Sequence, residues 1–285
     1  MMLDVLERTN TSGKQITYCF FDTGIEYAAT KEHLEYLEQK YGICIERRKP
    51  KYPVPLAIKK YGIPFFSKQV SIFLYRLQKH NFQWEDEPYE KLILKYPRCS
   101  AALKWWCNEW GENSSFNIEK KKYLKEFIVS NPPDFFISEK CCQYAKKNIA
   151  HQMIKESQCD LNCVGVRRSE NGARTTRYTN CFSPAGDDGV ANYRPLFFLE
   201  DIDRQLYEET YDVCHSKCYT EYGLKRTGCA GCPFGSRFED ELKIIEQHEP
   251  KLFKAINNIF GPSYEYTRAY RKFRDEMKAK ARGKS

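Results

Sequence analysis

No apolar run in this chain is long enough to cross a bilayer, so no membrane-spanning helix is expected. The first residues lack the basic, apolar and small-residue succession of a signal peptide, which points to the cytoplasm. No internal repeat and no low-complexity tract is present, which sets aside solenoid and linker architectures. Disorder is equally disfavoured, because apolar residues make up 41% and aromatics 15% of the chain. Cysteine, by contrast, is abundant, with thirteen copies in 285 residues. In a chain of this length without a secretory leader, metal ligation is favoured over a disulfide framework.

Two cysteine pairs stand far apart. Cys141-Cys142 lies in Ser-Glu-Lys-Cys-Cys-Gln-Tyr-Ala-Lys-Lys, and Cys229-Ala-Gly-Cys232 lies in Arg-Thr-Gly-Cys-Ala-Gly-Cys-Pro-Phe-Gly. Adjacent thiols serve one mononuclear metal poorly, since neighbouring side chains diverge. A cubane is larger, and its separate irons can each take one thiolate. The Cys-x-x-Cys spacing lets one tight turn aim two sulfurs at the same site. Four thiolates are the usual ligand set of a 4Fe–4S centre, so Cys141, Cys142, Cys229 and Cys232 are the candidate metal ligands. A zinc site built from Cys214 or His215 with Cys218, Cys229 and Cys232 is the alternative, because four N/S ligands suit tetrahedral zinc. Cys181 is the substitute ligand if one of the adjacent pair is unused. Cys19, Cys44, Cys99 and Cys107 are expected to pack as small hydrophobes.

The periodicity predicts an α/β fold with a parallel sheet. Met1 to Glu7 reads as a short helix with Met2, Leu3 and Leu6 on one face. Ile16 to Phe21 is a continuous apolar run, as expected of a strand buried on both faces. A helix carrying Leu34, Leu37 and Tyr41 follows, then a strand at Ile43-Cys-Ile45. Pro53 to Tyr61 is a short helix, and Ser67-Lys68 opens another with Val70, Phe73, Leu74 and Leu77 inward. Asn162 to Val166 returns to strand, and Asp201 starts a helix through Ile202, Leu206 and Tyr207. The chain divides into an α/β segment at 1–81, a Trp-rich helical insertion at 82–135, the rest of the α/β domain with its cysteines at 136–240, and a basic helical region at 241–285. Trp105, Trp106 and Trp110 are expected in packing rather than base stacking.

Several further groups could carry chemistry. Asp22-Thr23-Gly24 directly follows the first strand, where ligands of open α/β sheets bind, although taken alone a helix-capping turn is the simpler explanation. Arg167, Arg168, Arg174 and Arg177 crowd one loop with Glu170; guanidinium matches phosphate and sulfate oxygens bidentately, while a solvated ion-paired loop is the plain alternative. Lys146 and Lys147 lie about one turn past the first cysteine pair if that segment is helical, and Arg226 precedes the second pair. The formal net charge of +8 is concentrated near the C-terminus, where Arg268 to Lys284 forms a basic tail suited either to nucleic acid or to a solvated helix end.

Taken in order, these segments resemble the phosphoadenosine-phosphosulfate (PAPS) reductase family of PP-loop adenine-nucleotide enzymes. The matching pieces are Phe20 to Glu26, Pro64 to Lys68, Lys140-Cys-Cys142 with Lys146-Lys147, Gly165 to Glu170 with Arg174, Arg194-Pro-Leu196 leading to Asp201, and Tyr222 to Gly235. The doubled cysteine with Cys-x-x-Cys is the specific element, similar to the cluster-binding pattern of adenylyl-sulfate reductases. The resemblance implies a Rossmann-like, adenine nucleotide alpha hydrolase-like sheet with a helical insertion and a helical C-terminus. It places Asp22, Thr23, Gly24 and Lys68 near an adenine nucleotide (PAPS, adenylyl sulfate or ATP). It gives Arg167, Arg168, Glu170, Arg174 and Arg226 to its anion, and Lys146 or Lys147 to the cluster. Two departures are expected to matter. The Ser-Gly-Gly-Lys-Asp-Ser phosphate loop is missing, as though Met1 were an internal start or a truncation. No cysteine follows Cys232 to serve as the family's C-terminal nucleophile.

Three functions are therefore expected to compete. The first is an iron–sulfur enzyme acting on a sulfated or adenylylated nucleotide, with an electron donor such as thioredoxin. The second is ATP-dependent sulfur transfer to nucleic acid. The third is a degenerate, non-catalytic cluster-bearing binding protein. An oligomer is compatible with each.

Overall fold

The computed structural model describes residues 1–170, 178–187 and 189–282. In chain order the elements begin with α1 (Met2–Thr9), β1 (Tyr18–Phe21), α2 (Ala28–Tyr41), β2 (Ile45–Arg48), α3 (Val54–Tyr61) and α4 (Lys68–Lys79). The middle of the chain supplies α5 (Tyr89–Lys95), α6 (Ser100–Trp106), α7 (Leu124–Ser130), α8 (Lys140–Cys142), a π-helical turn (Gln143–Lys147) and α9 (Asn148–Ser157). Then come β3 (Leu161–Cys163), β4 (Phe182–Ser183), β5 (Ala191–Tyr193), α10 (Asp201–Thr210), α11 (Lys217–Thr220), α12 (Phe238–His248) and α13 (Pro250–Arg282). No helix among the described residues is long and apolar enough to cross a membrane.

The chain forms two compact units that alternate along the sequence. The first takes Met1–Phe21, Ala28–Arg48 and Asn148–Lys225; the second takes Asp22–Tyr27, Lys49–Lys147 and Arg226–Ser285.

The first unit is mixed α/β. Strands β1 and β2 pair in parallel, from Tyr18 opposite Ile45 to Phe21 opposite Arg48, with α2 as the crossover a parallel connection needs. A second sheet has the order β3-β5-β4, with β3 and β5 parallel and β4 antiparallel to β5. Asn162 Nδ2 donates to Asn192 Oδ1 at 3.0 Å across the parallel pair. The expected parallel pairing is thus present, in two small sheets rather than one continuous one among the described residues. Strand β1 is half-buried along its length, not covered on both faces. Strand β2 starts at Ile45, leaving Cys44 exposed rather than packed, because the chain leaving α2 turns at Gly42 before entering the sheet.

Helix α1 buries a charge. Asp4, 1% exposed, accepts hydrogen bonds from Tyr41 (2.5 Å), Tyr207 (2.7 Å) and Arg8 (2.8 Å). This ties α1 to α2 and α10 through one carboxylate. Buried charges persist only when paired and hydrogen-bonded in this way. Helix α10 starts at Asp201 as the sequence predicts, but none of its side chains is buried.

The second unit is helical around an aromatic core. Helix α4 places Val70, Phe73, Leu74 and Leu77 inward at helical spacing, as the sequence predicts. Ser67 caps its N-terminus by accepting from the Val70 amide at 3.2 Å. Phe73 stacks on Trp105 with centroids 5.2 Å apart, and Trp105 and Trp106 are buried together with Leu124 and Phe127 of α7. Helix α13 reaches this core through Tyr270. Trp110, in contrast, is 41% exposed.

Candidate functional site

The second unit gathers both cysteine pairs. The first pair sits in the single turn α8, which opens where Ser138 Oγ accepts from the Lys140 amide at 3.0 Å. The Ser138 amide in turn donates to the Ile63 carbonyl at 2.9 Å, so the segment entering α8 is tied to the end of α3. After Cys142 the helix widens into the π-turn. Such turns shift the face on which later side chains emerge. Here Lys146 is half-buried beside Cys229, whereas Lys147 is exposed. Of the two lysines singled out by sequence, Lys146 is the one placed among the thiols.

The second pair sits on a tight turn closed by the Cys232 amide donating to the Cys229 carbonyl at 3.3 Å. Gly231 has φ +62, which a type II turn requires at its third residue. A Cβ there would stand 2.6 Å from Ile256 Cδ1 and 2.7 Å from the Tyr264 hydroxyl, so glycine is required by space as well as by backbone. The turn is held from three sides. The Ala230 amide donates to the Ile25 carbonyl at 3.2 Å, the Gly231 amide to Glu241 at 3.1 Å, and Tyr264 donates to the Gly231 carbonyl. Glu241 also accepts from Tyr27 at 2.5 Å.

Asp22-Thr23-Gly24 lies against this turn. Thr23 Oγ1 is 3.8 Å from Cys229 Sγ and donates to Glu26 at 2.5 Å. The Gly24 amide donates to Asp22 Oδ1 at 2.9 Å, forming an Asx turn. The tripeptide therefore shapes the surroundings of Cys229. Helix α2 begins later, at Ala28.

The electrostatics of the thiols follow from this crowding. Cys141 and Cys142 share a hydrogen bond that pushes the Cys141 thiol up and the Cys142 thiol down; Lys68 and Lys146 add to the lowering at Cys142. Cys142 is thus the thiol most ready to ionise, as expected beside cations. Burial pushes Cys229 up against the opposing pull of Lys146 and Thr23, and burial pushes Cys232 up to about 12. Burial is the largest influence on Lys146 and lowers it, but Cys229, Glu26 and Cys142 together outweigh it and hold the ammonium above its ordinary value. The four thiols act on one another's ionisation, and all thirteen cysteines of the chain are free. Among the described residues, no group of three or more His, Cys, Asp or Glu side chains is disposed to hold a metal ion.

The other candidates are distributed as follows. Lys68 is the exposed first residue of α4. Arg226 is an exposed residue of the second unit. The arginine loop lies in the first unit. Arg167, only 13% exposed, donates to Asp201 at 2.8 Å and lies 3.9 Å from Glu170. Arg168 is 60% exposed and 3.9 Å from Glu200. Arg174 and Arg177 lie outside the described residues. Of the zinc alternative, Cys214, His215 and Cys218 belong to the first unit and Cys229 and Cys232 to the second. His215 Nε2 lies 3.0 Å from Glu208 Oε1, and Cys218 is buried 3.6 Å from Thr30. Cys181 is half-buried in the first unit.

One further residue stands out. Arg194 is 4% exposed, donates to the Asn180 carbonyl (3.2 Å) and Ser183 (3.1 Å), and lies 3.9 Å above the Tyr178 ring. Its Nε has no hydrogen-bond partner among the described residues. The sequence carried it only as part of the Arg-Pro-Leu tripeptide; burial of an arginine leaves no local signal.

No family model matches the chain. The chain is 24% identical over 250 residues to an uncharacterised protein of Methanocaldococcus jannaschii, a match that covers 87% of this chain and 36% of that protein. The chain thus spans about a third of the length of this relative.

Proposed function

We propose that this chain is an iron–sulfur protein of the PAPS reductase kind, acting on a sulfated or adenylylated adenine nucleotide. One observation carries the reading: Cys141, Cys142, Cys229 and Cys232 meet within one compact unit, with Lys146 among them. In number and kind the donors match a 4Fe–4S group: four thiols from two distant segments lie near enough to act on one another's ionisation, and the Cys142 thiol is lowered. Bound there, the group would cross-link α8 to the Cys229–Cys232 turn and supply redox chemistry. The parallel pairing of β1 with β2 around a helical crossover supports the Rossmann-like frame. The free thiols support a reducing, cytoplasmic setting.

In this reading the chain's own residues divide the work. Arg167, Arg168 and Arg174 hold the sulfate or phosphate of the nucleotide and stabilise charge on the leaving sulfite or phosphate, with Glu170 orienting Arg167. Thr23 and Lys146 pull the Cys229 thiol down against the larger effect of burial. Lys68 and Arg226 add positive potential for an anionic substrate. A dithiol donor such as thioredoxin would supply the two electrons that take sulfate sulfur to sulfite. The attacking thiol is external, or Cys181.

The test is iron, acid-labile sulfide and zinc per chain in anaerobically purified protein, alongside Cys142→Ala and Cys232→Ala. Iron and sulfide near about four each, lost in both variants, are expected. Zinc without sulfide, or full iron in both variants, overturns the reading. Release of pyrophosphate from ATP would move the activity to sulfur transfer.

A further inference from the structure

The second unit carries an aromatic ribbon that the thiol site does not use. Tyr61, the last residue of α3, stacks on Tyr144 of the π-turn with centroids 4.4 Å apart and planes within 4°. Tyr52 meets both rings edge-on, at 6.1 Å and 5.7 Å. Further along, Tyr75 of α4 meets Phe136 edge-on at 6.2 Å. These tyrosines are half-buried, and Phe136 is 49% exposed. The core aromatics of the same unit, such as Phe65 at 0% and Trp105 at 1%, are closed off. The ribbon is therefore partly open to solvent.

Lysines interleave with the rings. Lys60 Nζ donates to the Tyr52 hydroxyl at 3.0 Å and stands 4.6 Å from that ring centroid and 5.3 Å from Tyr61. Lys51 lies 6.0 Å from Tyr52, and Lys140 lies 5.6 Å from Tyr75. The sequence around them is one-signed. From Lys49 to Trp84 there are seven lysines and arginines and no aspartate or glutamate. On the adjoining segment Asp134 precedes Phe136 by two residues, and Glu139 acts on Cys142 and has one carboxylate oxygen buried.

Alternating π-surfaces and cations suit a flexible polyanion whose repeating units carry flat rings. We propose that this ribbon binds single-stranded nucleic acid, with bases stacking on the tyrosines and Lys51, Lys60 and Lys140 meeting phosphates. Duplex recognition fits less well, because paired bases offer no free face to a tyrosine. Charge alone would serve any polyanion; the stacked rings narrow the class to one with bases. The inference stands apart from the cluster, since none of the ribbon residues is a proposed ligand.

The experiment is fluorescence anisotropy of the full chain with a labelled oligothymidylate of about 20 nucleotides, longer than a single such binding site. An abasic strand of equal length and charge serves as the comparison. The base-bearing strand is expected to bind more tightly. Tyr61→Ala should weaken it roughly 5- to 150-fold, as loss of one stacking platform does, while Tyr61→Phe keeps the ring and the affinity. Lys51→Ala with Lys60→Ala, both on the exposed surface, should lower the log–log salt slope by roughly 1.4, two phosphate contacts' worth. Lys278→Ala with Lys280→Ala in α13 should change neither. No binding at low salt, equal affinity for the abasic strand, or a loss that follows the α13 pair instead of the ribbon overturns the proposal.

Discussion

Tyr264 donates its phenolic proton to the carbonyl of Gly231, inside the turn that presents Cys229 and Cys232. The donor lies on α13, 33 positions further along the chain, and both groups are buried. The bond joins a C-terminal helix to the geometry of two thiols. Removing only the hydroxyl isolates its contribution. Tyr264→Phe leaves a buried carbonyl unsatisfied and should cost about 1–3 kcal/mol in urea unfolding. The loss should appear in iron-free protein as well as in metal-loaded protein. An unchanged midpoint would mean that the turn holds without α13.

Gly24 has φ +89, and a Cβ there would stand 3.1 Å from the Cβ of Pro53 and 3.4 Å from Pro55. Gly24→Ala therefore forces a left-handed alanine against two rigid rings. The left-handed conformation alone costs roughly 1–2 kcal/mol. The neighbouring Thr23 contact with Cys229 should be displaced with it. A thermal melt with reduced midpoint, together with faster alkylation of Cys229 read by peptide mapping, is the expected outcome.

Asp4 makes stability depend on acidity. Burial works against its charge, but the hydrogen bonds from Tyr207, Tyr41 and Arg8 outweigh that and hold the carboxyl below its ordinary value. A depressed carboxylate contributes stability above its unfolded pKa, near ~3.9 for aspartate, and loses it as pH falls through the folded value. Wild type should therefore exceed Asp4→Asn in stability at neutral pH, with the gap closing in the acid limb. Chemical denaturation at a series of pH values checks this. A gap independent of pH would assign the effect to packing.

Arg167 donates to Asp201, whose carboxylate is 76% exposed. If Arg167 holds an anion, Asp201 competes with it for the same guanidinium. Arg167→Ala should weaken adenylyl sulfate binding by roughly ten- to hundredfold, the worth of a charge-assisted hydrogen bond. Asp201→Asn should strengthen it, by no more than about fivefold, because exposed pairs are worth little. Titration calorimetry reads both. Unchanged affinity in both variants removes the loop from the site while leaving the thiol centre untouched.

Local pattern carried a good part of this structure. The inward stripe of α4 could be read from Val70, Phe73, Leu74 and Leu77 because helical periodicity is written in neighbouring residues. The start of α10 at Asp201, and the packing of Trp105 and Trp106, were equally legible. The apolar stripe of α10 misled: Ile202 and Leu206 are 70% and 64% exposed, since periodicity states which residues share a face but not whether anything covers it. Cys44 misled in the same way, its small apolar side chain standing exposed at the start of β2.

The sequence by itself determined two short-range thiol pairs, Cys141 with Cys142 and Cys229 with Cys232. Adjacent cysteines and Cys-x-x-Cys are short-range features, and their spacing limits the chemistry before any fold exists. Only the tertiary structure decided what surrounds them. Thr23 against Cys229, Lys146 rather than Lys147 among the sulfurs, Tyr264 on the Gly231 carbonyl and three donors on Asp4 all join residues remote in sequence or turned by one irregular helical turn. Such contacts arise from how the elements pack, and packing depends on many weak, non-local interactions that leave no mark on the local order of residues.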